Sequence, residues 1–347
     1  MLTITMTNTT TTMKAVTYDR YGGPEVLAYT DIAKPTPGSD QILVRVEATS
    51  INAADYRLMR ADPFLARFGA GLRRPHKWPV LGSDFAGVVE AVGSEITDVA
   101  IGDRVFGDSF ADGRAAFAEY VCVSPSSVAP IPDGLSSSDA AAIPLAAITA
   151  LQAIRDLGKV EPGNSVLIHG AGGGVGTMAV QLAKVFGGDV TAVCGPGSAA
   201  VVESAGADRI IDYTVTDVGT ESDRYDLILG VNGYRKLSTY RRLLNDGGQY
   251  VTIGGTGRTF FDSLVLAKFA FMFSGKTASI LSIDDDKRAA DLRELHELLS
   301  TGRLRPIVDR TFPLEDVADA MRYVETGHVP GKVVLTLEPP YPPAPLA

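Results

Sequence analysis

Residues 165–187 constrain this chain more than any other stretch, because they combine an apolar run, a glycine cluster and a helical repeat. The run at residues 166–168 is short and rich in β-branched side chains, which is typical of a buried strand. After the glycines, apolar residues recur at helical spacing: Val175, Met178, Ala179, Leu182 and Ala183. The pattern predicts a strand, a tight turn and a helix, whose unpaired N-terminal amides and positive dipole favour an anion above the turn.

The turn itself follows the spacing of a dinucleotide-binding fingerprint from Ala171 to Gly176, with alanine in place of the first glycine. In that arrangement Gly173, Gly174 and Val175 would present backbone amides to a pyrophosphate, and Gly176 would let the helix pack closely on the strand. A plain flexible turn also accommodates three adjacent glycines. The helical repeat after the turn therefore supports the interpretation as much as the glycines do.

Length and composition restrict the class of protein. The 347 residues suggest two domains, and a net charge of −9 without a long basic run argues against a nucleic-acid partner. Cys122 and Cys194 are far apart and form no metal-type pair, and residues 1–12 lack the pattern of a secretory signal, so we expect a cytoplasmic protein. The apolar stretch 140–154 contains a proline and is too short to cross a membrane, which indicates a buried helix.

The order of elements predicts an α/β chain with two kinds of sheet. Short strands and turns fill residues 13–134, which is typical of a mostly antiparallel β domain. Strands and helices alternate over residues 135–283, which predicts a doubly wound parallel sheet of the Rossmann type. Residues 284–338 are expected to fold back onto the first domain. We expect a disordered tail at 1–12 and an extended proline-rich tail at 339–347.

Several short motifs occur in an order that resembles the medium-chain dehydrogenase/reductase superfamily, in its zinc-free, quinone-oxidoreductase-like (zeta-crystallin-like) branch. They are the segments 22–27, 51–56, 82–93, 102–106, 145–151, 170–176, 206–208, 211–213, 246–248 and 331–334. The resemblance implies a GroES-like catalytic domain beside the Rossmann domain. It also implies a pyridine-nucleotide cofactor, quinone or α,β-unsaturated carbonyl substrates, and a homodimer joined edge to edge through the strand at 278–282.

The chain departs from zinc-dependent relatives where those proteins bind their catalytic metal. The matching positions hold Asn52, Ser83 and Leu145, and leucine cannot ligate zinc while neutral asparagine and serine are poor ligands. The four-cysteine structural loop of those relatives is also missing. Zinc ligands drawn from elsewhere, such as His76, Asp84 and Cys122, are the alternative. Without a Lewis acid, we expect a hydride acceptor that is already electrophilic, such as a quinone or an enone.

The branch places its active-site cleft after the strand at 41–48, where Asn52 and Tyr56 lie. We predict that the Asn52 amide binds the acceptor oxygen and that the Tyr56 hydroxyl does the same or delivers a proton. The alternatives are that Asn52 is a left-handed turn residue and that Tyr56 packs a domain interface. Asp55 and Asp84 match frequent acidic positions of the branch, and Asp84 is expected to pair with an arginine or cap backbone rather than transfer protons.

Other residues are candidates for nucleotide binding. Thr149 matches a position that reaches the nicotinamide in the superfamily. Four further residues are also candidates, although they would be explained equally well as structural turns. These four follow strands at the carboxyl edge of the parallel sheet: Val231, Asn232, Gly254 and Gly255.

The second strand of the parallel sheet should decide between NADP and NAD. Residues Cys194 to Ser198 carry no carboxylate to grip a ribose 2′-hydroxyl, which favours NADPH. Relatives often have an arginine or a lysine near Gly197, but this chain has neither there. Ser198 and Tyr213 are therefore the expected 2′-phosphate donors, with Arg235 or Arg258 available from neighbouring loops.

The segment 60–77 carries a local excess of basic residues that could recruit an anionic substrate, although a solvated loop is the commoner explanation. Phe64, Phe68 and Trp78 could wall an apolar pocket or anchor the loop.

The sequence leaves three candidate functions: an NADPH-dependent quinone or enone reductase, a 2-enoyl-thioester reductase, and a low-turnover NADP-binding redox sensor or scaffold. The first is our leading hypothesis, the basic segment slightly supports the second, and the intact loop carrying Asn52 and Tyr56 argues against the third.

Overall fold

The computed structural model describes residues 11–64, 66–77, 79–233, 235–255, 266–272 and 274–337. The strands are β1 (Thr12–Thr17), β2 (Ala28–Ala33), β3 (Ile42–Ile51), β4 (Asp84–Val92), β5 (Arg104–Asp108), β6 (Tyr120–Val123), β7 (Val128–Pro130), β8 (Ser165–His169), β9 (Asp189–Cys194), β10 (Arg209–Asp212), β11 (Tyr225–Val231), β12 (Leu244–Ile253), β13 (Thr277–Ile280), β14 (Val308–Pro313) and β15 (Lys332–Thr336).

The α-helices are α1 (Ala53–Arg60), α2 (Ala66–Ala70), α3 (Ser137–Ala141), α4 (Pro144–Leu151), α5 (Gly174–Val185), α6 (Ala199–Ser204), α7 (Leu237–Leu243), α8 (Ala267–Phe271), α9 (Arg288–Ser300) and α10 (Val317–Glu325). The expected tails at 1–10 and 339–347 lie outside the described residues, as do Trp78 and Arg258. Thr12, which we assigned to the first tail, is paired with Ala33 in β1, and the Thr11 carbonyl accepts a hydrogen bond from the Lys34 N–H, so the expected end of that tail at residue 12 is wrong.

The predicted Rossmann-type sheet is confirmed. Six strands run in the order β10-β9-β8-β11-β12-β13, and every neighbouring pair is parallel. The chain moves outward from β8 to β10 on one side and then from β11 to β13 on the other. The strand order therefore reverses between β8 and β11, and ligands of such sheets bind at the carboxyl ends of the strands beside that reversal.

A second sheet contains the antiparallel strands expected of the first part of the chain. Its order is β14-β15-β3-β4-β5-β7, with β6 also paired to β3, and only the β14-β15 pair is parallel. The strands β14 and β15 come from the end of the chain, and Val333 lies opposite Ile51 in the pairing of β15 with β3. The last strands of the described chain thus join a sheet whose other strands lie between Ile42 and Pro130, whereas β1 and β2 pair in a separate two-stranded sheet.

The glycine turn of the parallel sheet is hydrogen-bonded to the second sheet. Gly331, just before β15, donates its amide to the carbonyl of Gly172 at 2.9 Å, and Gly173 and Gly331 form an isolated parallel bridge. Beneath this junction, all eight residues of α4 are buried, as expected for the apolar stretch around Pro144. No helix among the described residues is long and apolar enough to span a membrane.

A buried ion pair attaches α9 to the antiparallel sheet. The Arg288 guanidinium at the start of α9 bonds the Asp108 carboxylate at the end of β5, and both side chains are almost completely buried. Burial nevertheless raises the pKa of Asp108 above its usual range, because desolvation disfavours its charged form more than Arg288 favours it. The neighbouring Lys287 makes an ion pair with Asp156 in which the lysine side chain is about half exposed.

These two neighbouring cations give a direct test of the attachment. We expect Arg288→Met to lower the free energy of unfolding at pH 8 by about 3–5 kcal/mol, because it leaves a buried carboxylate without its partner. Lys287→Met removes a solvated pair and should change stability far less. Chemical denaturation measures both. Equal effects of the two substitutions would show that the Arg288–Asp108 pair is no more important than a surface contact.

Candidate active site

The glycine turn has the geometry that a dinucleotide fingerprint requires. Gly170 adopts a left-handed φ of 95°, and a Cβ on Gly176 would lie 2.2 Å from the Gly170 carbonyl oxygen. Only glycine allows the helix and the strand to approach so closely. Gly173 precedes α5 as its N-cap, and no side chain caps the amides of that first turn. A Cβ on Gly173 would meet no protein atom within 4 Å, so the turn leaves room for a ligand.

A cavity of about 680 Å³ lies over this turn and extends to the start of α1. Its lining brings together most of the residues predicted from the sequence. They are Asn52, Tyr56, Gly173, Gly174, Val175, Cys194, Ser198, Tyr213, Val231 and Asn232. The turn that should hold a pyrophosphate and the two predicted acceptor-binding residues therefore share one space.

Three predicted residues do not line this cavity: Thr149, Gly254 and Gly255. The buried Thr149 hydroxyl donates at 2.6 Å to the carbonyl of Leu145, one turn earlier in α4, so its hydrogen is occupied within the helix. Gly254 and Gly255 both have positive φ and follow β12. Asn232 also has a positive φ, and its side-chain oxygen accepts a hydrogen bond at 2.9 Å from Arg57 of α1, which connects the two edges of the cleft.

The far end of the cavity follows the loop after β9. Cys194, Gly195 and Ser198 line it, and a Cβ on Gly195 would lie 2.8 Å from the Tyr213 hydroxyl. Arg235 lines the same end and makes an ion pair with Asp217 at 3.0 Å. The segment thus offers hydroxyl groups and a guanidinium to a ligand.

A buried polar cluster surrounds Asn52 at the near end. The Lys332 ammonium donates to the Asn52 side-chain oxygen at 2.6 Å and to the Asp84 carboxylate at 3.0 Å. Asp84 also accepts hydrogen bonds from the Asn52 amide at 2.8 Å and from the backbone N–H of Leu145 at 2.7 Å. Of the two expected roles for Asp84, the backbone capping occurs, and the cation beside it is a lysine rather than an arginine.

Asn52 is held at its backbone as well. Its φ of −117° and ψ of 157° are extended, so the alternative of a left-handed turn residue is wrong. Asp55 in the first turn of α1 accepts from the Asn52 backbone N–H at 2.7 Å and from that of Gly82 at 3.2 Å. Desolvation raises the pKa of the fully buried Asp55 to about 6. Tyr56, one residue later, is partly buried against the neighbouring apolar core and also lines the cavity.

Among the cavity residues that sequence reasoning did not single out, Lys332 and His169 are polar and buried. Lys332 was part of a recognised motif, but nothing near it in sequence indicates that it reaches Asn52. His169 ends β8 as a buried member of an apolar strand, and its Nδ1 is hydrogen-bonded to the Tyr240 hydroxyl at 2.8 Å. Burial lowers the pKa of His169 to about 4, so it is neutral at pH 7. The position of His169 directly before the glycine cluster could have identified it from the sequence as a cavity residue.

The basic loop is partly occupied by internal contacts. Arg60 makes an ion pair with Glu325 of α10, and the Arg67 guanidinium stacks 4.6 Å from the Tyr21 ring. Phe64 and Phe68 are 59% and 72% exposed and do not line the cavity. Among the described residues, no group of three or more His, Cys, Asp or Glu side chains is arranged to hold a metal ion.

Comparison with known proteins agrees with this geometry. Residues 38–133 match the family model described as an alcohol dehydrogenase GroES-like domain, and residues 205–335 match one described as a zinc-binding dehydrogenase. A 2-methylene-furan-3-one reductase of Solanum lycopersicum is 32% identical over 93% of this chain and 79% of its own length. Human quinone oxidoreductase is 31% identical over 94% of this chain and 98% of its own length.

A solved structure shows the same architecture. The quinone oxidoreductase of Coxiella burnetii superposes with a TM-score of 0.82 and 31% identity, covering 94% of this chain and all of that one. The chain belongs to the medium-chain dehydrogenase/reductase superfamily, in its quinone-oxidoreductase-like branch. It is an oxidoreductase of the medium-chain reductase kind, and its cofactor is a pyridine nucleotide. The open turn at Gly173 and the uncapped start of α5 fit the pyrophosphate of such a cofactor.

Two glycines of the turn should respond differently to an added methyl group. Gly176→Ala forces its Cβ against the carbonyl oxygen of Gly170 and should lower the free energy of unfolding by about 1–3 kcal/mol or more. Gly173→Ala meets no protein atom and should cost less than about 1 kcal/mol, since only a helix cap changes. The added methyl group would occupy the space above the turn, so the Gly173 variant should bind a reduced pyridine nucleotide at least about tenfold more weakly. Denaturation and a nucleotide fluorescence titration measure these effects, and unchanged affinity in Gly173→Ala would contradict the assigned pyrophosphate site.

Proposed function

We propose that the protein is an NADPH-dependent, zinc-independent reductase of quinones or α,β-unsaturated carbonyl compounds. The observation that carries the proposal is the single cavity that joins the turn at Gly173 to Asn52 and Tyr56. A bound reduced nicotinamide would supply a hydride there. The relatives named as a quinone oxidoreductase and a furanone reductase support these two substrate classes.

The residues of the chain would orient the acceptor and stabilise the charge that develops on its oxygen. The Asn52 amide, whose second Nδ2 hydrogen has no acceptor among the described residues, would donate to that oxygen. The Tyr56 hydroxyl would provide a second donor or the proton that completes the reduction. Gly173, Gly174 and Val175 would hold the pyrophosphate, and Val231 and Asn232, which line the same cavity, would support the nicotinamide end.

NADPH is favoured over NADH by the loop after β9. Cys194 to Ser198 contribute no carboxylate to the cavity, and the Ser198 and Tyr213 hydroxyls lie where they could bind a 2′-phosphate. Arg235 lines the same end of the cavity, and its guanidinium, although paired with Asp217, has further N–H groups that could donate to a 2′-phosphate. An anionic thioester substrate has less support, because Arg60 and Arg67 of the basic loop already have partners within the chain.

Zinc independence rests on the side chains at the metal-binding positions of related enzymes. Asn52, Ser83 and Leu145 offer no thiolate, imidazole or carboxylate, and the Lys332 ammonium bonds Asn52 directly.

A homodimer paired through the end strand β13 and a cytoplasmic location complete the proposal. The end position of β13 in its sheet supports the pairing, since an exposed edge can accept another strand.

Spectrophotometric assays of the purified full chain test the function. We expect NADPH oxidation with 1,4-benzoquinone or an α,β-unsaturated ketone, little activity with a crotonyl thioester, and a lower dissociation constant for NADPH than for NADH. Elemental analysis should find no stoichiometric transition metal. A protein that binds neither reduced nucleotide, or that carries one zinc per cavity, would refute the proposal. Tighter binding of NADH would refute the nucleotide preference alone.

The two predicted donors can be removed singly. Asn52→Ala should lower kcat about 100-fold or more, because one oxyanion donor contributes that much in comparable sites. Tyr56→Phe, which keeps the ring and its packing, should lower kcat about 10-fold or more. The NADPH dissociation constant should change less than about threefold in both, since neither residue belongs to the glycine turn. Unchanged turnover in both variants would exclude these roles.

A further inference from the structure

Lys332 is a buried cation in the wall of the cavity. It is the first residue of β15 and is only 3% exposed, yet its ammonium reaches the end of β3. The Nζ atom lies 2.6 Å from the Asn52 side-chain oxygen, 3.0 Å from an Asp84 carboxylate oxygen and 3.2 Å from the Ile51 carbonyl oxygen. A Cβ on Gly174 would lie 2.6 Å from Lys332 Cδ, so the lysine stem packs against the start of α5.

The hydrogen-bond count of this ammonium limits its chemistry. An ammonium has three N–H donors, and Lys332 has three acceptors within 3.2 Å. No hydrogen remains for a substrate unless one of these bonds breaks. Lys332 is therefore suited to holding another group in place rather than to protonating an acceptor.

The group it holds is the Asn52 amide. The Asn52 oxygen accepts from the Lys332 ammonium, and the Asn52 Nδ2 donates to the Asp84 carboxylate at 2.8 Å. A flipped amide would point its NH₂ group at the cation and its oxygen at the anion, so the two opposite charges fix a single orientation. One Nδ2 hydrogen has no acceptor among the described residues, and Asn52 lines the cavity.

The charges around this amide also affect its strength as a donor. A cation on the amide oxygen withdraws electrons from the nitrogen, and a low-dielectric site strengthens that effect. Asp84 opposes it only in part, because its carboxylate is shared among Lys332, Asn52, the Ser50 hydroxyl at 2.7 Å and the Leu145 N–H at 2.7 Å.

We propose that Lys332 is a positioning residue, which orients and polarises the Asn52 amide so that this amide can stabilise negative charge on the oxygen of the hydride acceptor. The inference rests on the proposed reductase function. In this arrangement the Lys332–Asn52 pair takes the place of a metal ion bound to the acceptor oxygen. Reduction of the acceptors that need the most oxyanion stabilisation should therefore depend most on Lys332.

Two acceptors of different electrophilicity distinguish this role from a general structural one. In Lys332→Met, kcat for an α,β-unsaturated ketone should fall at least about 30-fold, while kcat for 1,4-benzoquinone falls less than about fivefold. The NADPH dissociation constant should stay within about threefold. Lys184→Met is the matched control, because Lys184 lies on α5 with its ammonium bonded to Asp208, and it should change neither rate.

A binding measurement provides a second readout that needs no turnover. The absorbance of 4-nitrophenol reports its ionised form, so titration against the protein with NADP⁺ measures how well the site binds an oxyanion. Wild type should bind the phenolate at least about tenfold more tightly than Lys332→Met. In an Asn52→Ala background the same lysine substitution should have little further effect, since the amide through which Lys332 acts is gone.

If Lys332→Met does not fold because Asp84 is left as an unpaired buried charge, Lys332→Met/Asp84→Asn removes both charges, and the same results are expected. Equal losses with the two acceptors, or unchanged phenolate binding in the folded variant, would overturn the role of Lys332 and leave the reductase function standing. A wild-type protein that binds NADPH but reduces neither acceptor would refute the proposed function, and the role of Lys332 would fall with it.

Discussion

The buried ion pair between Lys332 and Asp84 is the interaction on which the candidate site depends. It joins the first residue of β15 to the first residue of β4, and both bond the Asn52 side chain at the start of α1. Breaking such a pair from one side leaves an uncompensated buried charge, which is strongly destabilising. The pair therefore fixes three segments that are distant in sequence around one amide.

The same segment of chain also couples the two sheets. Gly331 is bonded to the glycine turn of the parallel sheet, and Lys332, the next residue, is bonded to Asn52 beside the antiparallel sheet. Two consecutive residues therefore fix the distance between the proposed pyrophosphate site and the Asn52 amide. Across the cleft, the Arg57–Asn232 hydrogen bond connects α1 to the end of β11 in a similar way.

Local patterns explain why much of the fold could be predicted. The buried parallel strands are continuous apolar runs, such as the one that became β8, and the glycine turn has a spacing that few other structures need. The alternation of strand and helix then determined the kind of sheet. Details that depend on neighbours in space were less accessible. Asp84 caps backbone, as one of the two expectations had it, but its cationic partner is Lys332, 248 residues away, which no local pattern indicated. Thr149 was placed on the right helix, but its hydroxyl is occupied by Leu145.

The sequence by itself determined the two-sheet class and the glycine turn, because these follow from periodicity and from short motifs. The resemblance to the superfamily singled out Asn52 and Tyr56 as predicted donors. Only the tertiary structure decided which groups surround those donors. The Lys332 ammonium, the neutral His169 and the buried Asp55 acquire their chemistry from desolvation and from partners on other strands. No local pattern encodes such an environment, since it exists only after the chain has brought distant segments together.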